Sequence, residues 1–242
     1  MNEESHLKTV VSHFSSEEEV AHYKNRATEG LRRWEQEIVR RFMSSGKVLS
    51  VGCGGGRESF ALEQLGYKPY GIDISEGQIA SANQTKKRRS SSATFQAYSG
   101  ADFPFPDGFF RSVTVWSQVL GNVPGKRKRL HMLKECHRVL EPNGIVSASV
   151  HDLEKTMKIV AEAGQHYIEP EDSESGDILL DESSGGACYW HYFTGPELRD
   201  LFEDAGFTVV EESTSDKMGQ NWDNLNIIVC RKNRANGQVQ RP

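Results

Sequence analysis

The sequence has no run of apolar residues approaching the roughly 18 needed to cross a bilayer, so no helical membrane span is expected. Cysteine is sparse. Cys53, Cys136, Cys188 and Cys230 are the four present, no two stand in CxxC spacing, and none clusters with histidine as a zinc site requires. No metal is therefore expected, and the thiols read as free in a reducing compartment. The opening residues MNEESHLKTV lack the apolar core of a signal peptide, and a cytoplasmic protein is the expectation. There is no positive balance either: Asp and Glu number 34 against 29 Lys and Arg, a net charge of -5. Such a surface offers no general attraction to nucleic acid or to an anionic membrane. The two basic runs, KKRR at residues 86–89 and KRKR at 126–129, fall in or beside helical patterns and read as solvated helix faces. No internal repeat is found.

What is there suits one α/β domain with an elaboration: 242 residues, 36% of them hydrophobic. Residues 17–43 read as helix, with Val20, Tyr23, Leu31, Trp34, Ile38 and Phe42 on one stripe and a break near Gly30. Strand patterns follow at 48–51, 69–72, 94–97, 112–116 and 144–150. Helical patterns lie between them at 57–65, 76–87 and 127–140, the second opened by Ser75 and Gln78 as a capping box. This alternation implies a parallel sheet with right-handed crossovers. Residues 165–190 break the rhythm with acidic and small residues around short apolar pieces at 177–180 and 187–190, which reads as an inserted hairpin or flap. Thr194-Gly195-Pro196-Glu197 then opens a helix that ends at Ala205-Gly206. Strands at 207–212 and 225–230 are expected to be antiparallel, and the residues after Arg231 form a polar tail.

Residues 47–73, KVLSVGCGGGRESFALEQLGYKPYGID, hold the main functional signal. Gly52, Gly54, Gly55 and Gly56 stand at the carboxyl end of the first strand, where open α/β sheets bind ligands. Bare backbone there lets a ligand lie close. Asp73, at the end of the second strand, is placed to accept hydrogen bonds from two ribose hydroxyls. The dinucleotide fingerprint G-x-G-x-x-G fails, because Arg57 occupies its third glycine position, and no G-x-x-x-x-G-K-[ST] loop is present.

VLSVGCGGGRES, GIDIS, FPFPDGFFRSVTVWSQVLGNV, LKECHRVLEPNGIVSASVHD and HYFTGPELRDLFEDAGFTVVE occur in that order over roughly residues 30–230. In these segments the sequence resembles the class I S-adenosylmethionine-dependent methyltransferases. The resemblance implies a Rossmann-like, doubly wound α/β fold: a mostly parallel seven-stranded sheet with an antiparallel last strand, an N-terminal helical cap and a small inserted flap. The expected division is a cap at 1–45, a methyltransferase domain at 46–232 with the flap at 165–193, and a mobile tail at 233–242. The implied cofactor is S-adenosylmethionine. Carried over by position, Gly52, Cys53 and Gly54 would lie against its methionine part and Asp73 would hold the ribose. Ile74 would pack on the adenine face, and Gly100, Ala101 and Asp102 would lie at the adenine edge. Ser117, Gln118 and Val119 would face cofactor and acceptor. Two departures stand out: Ser50 stands where family members usually carry an acid, and Ser99 where they often carry an aspartate.

A sulfonium methyl group is electrophilic, so such an enzyme must place a nucleophile in line with it and exclude water. A general base is needed only where the acceptor must lose a proton. His151, followed by Asp152, reads either as that base or as part of a helix cap. Tyr189, Trp190, His191 and Tyr192 form an aromatic cluster that either lines the acceptor pocket or packs the flap, with His191 a second catalytic candidate. His22 and Tyr23 would reach the pocket from the cap as a lid, Tyr23 otherwise being core. Trp116 reads as core. Three acceptor readings compete: a small molecule attacked through O, N or C; tRNA, because SGDILL followed by YWHYFTGPEL looks like the C-terminal region of wobble-uridine carboxymethyl methyltransferases; and a non-catalytic cofactor-binding scaffold.

Overall fold

Strand β1 (Lys47–Val51) has four of its five residues buried, which places it in the interior of a sheet covered on both faces. The structure is a computed structural model that describes residues 3–164, 167–170, 173–182, 186–220 and 224–233. β1 pairs in parallel with β2 (Lys68–Asp73) on one side and β4 (Phe110–Val115) on the other. β3 (Thr94–Ala97) extends the sheet beyond β2, and β5 (Leu140–His151) extends it beyond β4. With β9 (Phe207–Thr214) and β10 (Leu225–Lys232) the order is β3-β2-β1-β4-β5-β10-β9. β10 runs antiparallel to both of its neighbours. The sheet is therefore the expected seven-stranded one, with its reversed strand last in the chain.

Successive strand residues feed two layers of core. On one face Leu49, Val113, Val146 and Ile228 pack with Leu133 of α6 (Lys126–Val139) and Phe202 of α8 (Gly195–Asp204). On the other, Val48, Ile227 and Val229 meet Trp34 and Ile38 of α3 (Arg33–Phe42) and Leu62 of α4 (Arg57–Gln64). Ile79 and Ala82 of α5 (Glu76–Arg89) extend that cover over Phe95. Full burial of a side chain such as Leu49 or Phe202 contributes roughly 1.5–3 kcal/mol, so these layers fix the sheet and leave its carboxyl edge free for a site. Side-chain caps start the helices where expected. Ser75 Oγ accepts from the Gln78 amide at 3.3 Å, and Thr194 Oγ1 from the Glu197 amide at 3.3 Å. Asp152 Oδ1 accepts from the Lys155 amide at 2.9 Å and opens α7 (Leu153–Glu162).

The cover of that edge differs from expectation in two places. Residues 17–43 form two helices, α2 (Glu17–Arg26) and α3, divided at the expected break near Gly30, which takes a left-handed φ of 77°. Ahead of them lies α1 (Glu3–Phe14), which the sequence did not announce. Its Val10 is buried with Leu179 and Tyr189. The inserted segment has three antiparallel strands rather than two: β6 (Tyr167–Ile168), β7 (Asp177–Glu182) and β8 (Gly186–His191). Past Asn233 the expected tail lies outside the described residues. Among the described residues no helix is long and apolar enough to cross a membrane. All four cysteines are free and buried.

Candidate active site

A cavity lies over the carboxyl ends of β1, β2 and β4. Its floor is the loop Gly52-Cys53-Gly54-Gly55, with Asp73 and Ile74 on one side and Ser117 and Val119 on the other. Leu7, Val10 and Phe14 of α1 and Tyr23 of α2 form the roof. The glycines of the floor have specific neighbours. A Cβ on Gly52, whose φ is 65°, would stand 2.3 Å from Cγ2 of Val119. A Cβ on Gly55 would stand 2.5 Å from the main-chain oxygen of Tyr23. Neither approach is tolerable for real atoms, so the loop is bare partly to admit the protein's own roof.

Asp73 is buried at the end of β2. Its Oδ2 accepts from the Gly54 amide at 2.8 Å and its Oδ1 from the Ser75 amide at 2.9 Å. Burial pushes its carboxyl above the usual carboxylate range, against the pull of these amide bonds. Each oxygen keeps a lone pair for a further donor, which suits a vicinal diol. Ile74, Tyr98 and Gly100 continue the wall from there. Ala101 and Asp102 do not join it. Both are exposed, and Asp102 lies 3.0 Å from His131.

Ser117 and Gln118 both adopt positive φ, 59° and 69°, which costs a non-glycine residue of order 1 kcal/mol and persists only where surroundings enforce it. Gln118 provides the enforcement. Its Nε2 donates to the His191 carbonyl at 2.9 Å, and its Oε1 accepts from the His151 amide at 2.5 Å. Ser117 lines the cavity, while the Gln118 side chain faces away from it into the flap. The turn Val119–Asn122 that follows carries Val119 and Asn122 into the cavity wall.

The catalytic candidates fare differently. His151 is not on the cavity wall. Burial lowers its pKa to about 4, and its Nδ1 lies 3.0 Å from Asn224 Nδ2, so it is a weak base instead of the near-neutral one expected. His191 is wholly buried beneath the flap, with Nδ1 2.6 Å from Asp177 Oδ1 and Nε2 2.8 Å from Glu197 Oε1. Burial opposes its charge, but the two carboxylates outweigh it and hold its pKa above the ordinary value. It acts as a strut between β7, β8 and α8. Tyr189 is a second strut, its hydroxyl donating to Asp177 at 2.5 Å and meeting Arg129 at 3.3 Å. Tyr192 is buried away from the cavity, 6.0 Å from the His151 ring. His22 faces solvent beside Arg26 at 3.3 Å. Tyr23 does line the cavity, and burial raises its hydroxyl pKa well beyond the working range. Trp190 packs on Phe14, with ring centres 6.2 Å apart. Cys53 lines the floor, and burial pushes its thiol pKa well up.

Sequence reasoning missed the charged end of the cavity. Arg26, Arg32, Arg57 and Glu58 all reach the wall. Beneath them Glu35 is fully buried and grips Arg57 by both oxygens at 2.7 and 2.6 Å, and it also accepts from the Arg32 amide at 2.7 Å. A signal existed: Glu35 lies four residues after Leu31 and beside Trp34, on the apolar stripe, where a charge demands a partner.

The model of the methyltransferase domain family matches residues 48–144, which span β1 to the early part of β5 and carry the glycine loop and Asp73. The match supports a class I S-adenosylmethionine-dependent methyltransferase. Over 188 residues this methyltransferase is 23% identical to YqeM of Bacillus subtilis, whose own methyltransferase name is provisional; the match covers 78% of this chain and 70% of that one. It is 30% identical over 124 residues to a ubiquinone biosynthesis O-methyltransferase of Pseudomonas syringae pv. tomato, spanning about half of each protein, 50% and 51%. A crystal structure of a SAM-dependent methyltransferase from Methanosarcina mazei superposes with a TM-score of 0.70 at 23% identity, over 85% of this chain and 100% of that one. The cofactor is S-adenosylmethionine. The bare floor and the two-oxygen acid at Asp73 fit an adenosyl ligand.

Proposed function

We propose that the enzyme transfers the methyl group of S-adenosylmethionine to an O, N or C nucleophile of a small-molecule acceptor enclosed beneath α1 and α2. The observation that carries this is the roof: apolar side chains from Leu7, Val10 and Phe14, with Tyr23, cover the cavity over its floor. A polynucleotide would need an open, cationic channel. In the KRKR run only Lys126 and Arg127 are exposed; Arg129 is fully buried and Lys128 pairs with Glu3 at 3.2 Å. In the KKRR run Arg88 donates to Thr85 at 3.0 Å and Arg89 lies over Phe60.

In this reading residues 46–232 form the methyltransferase domain, 1–45 its cap and 165–193 its flap. Asp73 accepts from the ribose, and Gly52, Cys53 and Gly54 take the methionine part along the floor. Ile74 and Gly100 flank the adenine. When bound, the cofactor supplies an electrophilic methyl group. The chain's own part is to orient and to keep water out: the roof dries the cavity, which favours a step that neutralises charge. Ser117 and Val119, held by Gln118, border the acceptor. His151, His191 and Tyr23 are not suited to removing a proton near neutrality, so none of the three is assigned that role. The test is S-adenosylhomocysteine formation with a low-molecular-mass filtrate of cell extract against total tRNA. Turnover confined to tRNA would overturn the small-molecule reading.

A further inference from the structure

We propose that Glu174, His191 and Glu197 form a divalent-cation site, suited to zinc, that clasps the flap to α8. One oxygen of each carboxylate and a ring nitrogen of His191 lie within 4.8 Å of one another, the one such convergence of His, Cys, Asp and Glu side chains among the described residues. The three come from the approach to β7, the end of β8 and the first turn of α8, so no spacing in the sequence announces them. None of the three stands on the wall of the cavity over the glycine loop, so the site is separate from it.

The histidine is held as a ligand would be. It is wholly buried, and its Nδ1 lies 2.6 Å from Asp177 Oδ1. A ring that donates from Nδ1 to a carboxylate presents the lone pair of Nε2 on its other side, which is how metal-bound imidazoles are oriented. Nε2 faces Glu197 Oε1 at 2.8 Å. Glu174 is oriented from behind as well. Its Oε1 accepts from the Lys126 amide at 2.6 Å, its Oε2 pairs with Arg129 Nη2, and its own amide donates to Asp177 Oδ2 at 3.0 Å.

Charge points the same way. Three carboxylates, of Glu174, Asp177 and Glu197, meet one guanidinium, that of Arg129. With a neutral imidazole two negative charges are left over, which a proton on His191 halves and a divalent cation cancels. A cation there takes the place of the proton on Nε2. Glu174 and Glu197 are partly open to solvent, so an ion can enter and their side chains can close on it. Imidazole beside carboxylates selects zinc over magnesium and calcium, which prefer oxygen alone. The clasp also reaches the cavity at one remove, because the His191 carbonyl accepts from Gln118 Nε2 at 2.9 Å.

The experiment is titration calorimetry of the full chain, stripped with EDTA and then kept in a phosphine reductant, with ZnCl2. The wild type should take up one zinc per chain with a dissociation constant below about 10 μM. Glu197→Gln and His191→Gln should each weaken it by about tenfold or more, since loss of even an outer partner costs that much. His131→Gln, which removes an exposed histidine 3.0 Å from Asp102, is the control and should stay within about twofold. Wild-type uptake weaker than about 100 μM overturns the assignment. So does equal uptake by Glu197→Gln and the wild type, or magnesium binding as tightly as zinc. Should His191→Gln fail to fold, Glu174→Gln and Glu197→Gln, whose side chains are partly exposed, are read on the same constant.

Discussion

The main-chain oxygen of Tyr23 sits 2.5 Å from the point a Cβ on Gly55 would occupy. The glycine-rich loop and the second helix of the cap are therefore fitted to each other directly. A Gly55→Ala substitution has no room unless α2 lifts. We expect it to destabilise by about 1–3 kcal/mol, as overpacking does, and to weaken S-adenosylhomocysteine binding as well. Gly195→Ala, where nothing lies within 4 Å, is the control and should be neutral in thermal denaturation.

Asp73 joins two backbone amides and faces the cavity. Asp73→Ala should cost about 1–3 kcal/mol of S-adenosylhomocysteine affinity, since a charged acceptor is lost. It should also lower stability, because the Gly54 and Ser75 amides lose their partner. Asp73→Asn keeps one acceptor oxygen and separates the two effects. Calorimetry on Asp73→Asn showing wild-type affinity would place the ribose elsewhere.

Gln118 joins β5, the flap and the cavity wall through one side chain. Gln118→Ala strands the His151 amide and the His191 carbonyl, at about 1–3 kcal/mol each. It also releases the positive φ at Ser117, so urea denaturation and ligand binding should both suffer. Normal ligand affinity in a destabilised variant would show that the turn holds its shape unaided.

His191 lies between Asp177 and Glu197, whose carboxylates favour its charged form. Its folded pKa is above the ordinary 6.5. Its contribution is therefore complete below about pH 6.5 and fades as pH rises through the folded value. Urea midpoints should fall over that window above pH 6.5, and His191→Gln should remove the slope. A slope of the opposite sign would mean a neutral ring.

Much of the fold was legible in the sequence because its signals are local. Apolar runs of strand length, the caps at Ser75 and Thr194 and the bare loop before an acid each report their own surroundings. The cap was read less well. α1 is mostly polar, and its few apolar residues gain meaning only against β8 and the cavity. The main ion pair of the Glu35, Arg57 and Arg32 cluster joins residues 22 apart in the chain, so no periodicity shows it. The histidines misled for the same reason. His191 looks exposed to chemistry beside three aromatics, but its partners Asp177 and Glu197 lie 14 and 6 residues away and fold over it.

Every thiol in the chain is buried, that of Cys53 on the cavity floor, and burial raises the pKa of Cys53, Cys136 and Cys230. Alkylating dyes should therefore pass over the native protein. One new cysteine at exposed Lys8, on the outer side of α1, would carry a fluorophore alone, with no background labelling to remove. The cap can thus be watched as ligands enter and leave, in a protein otherwise unaltered.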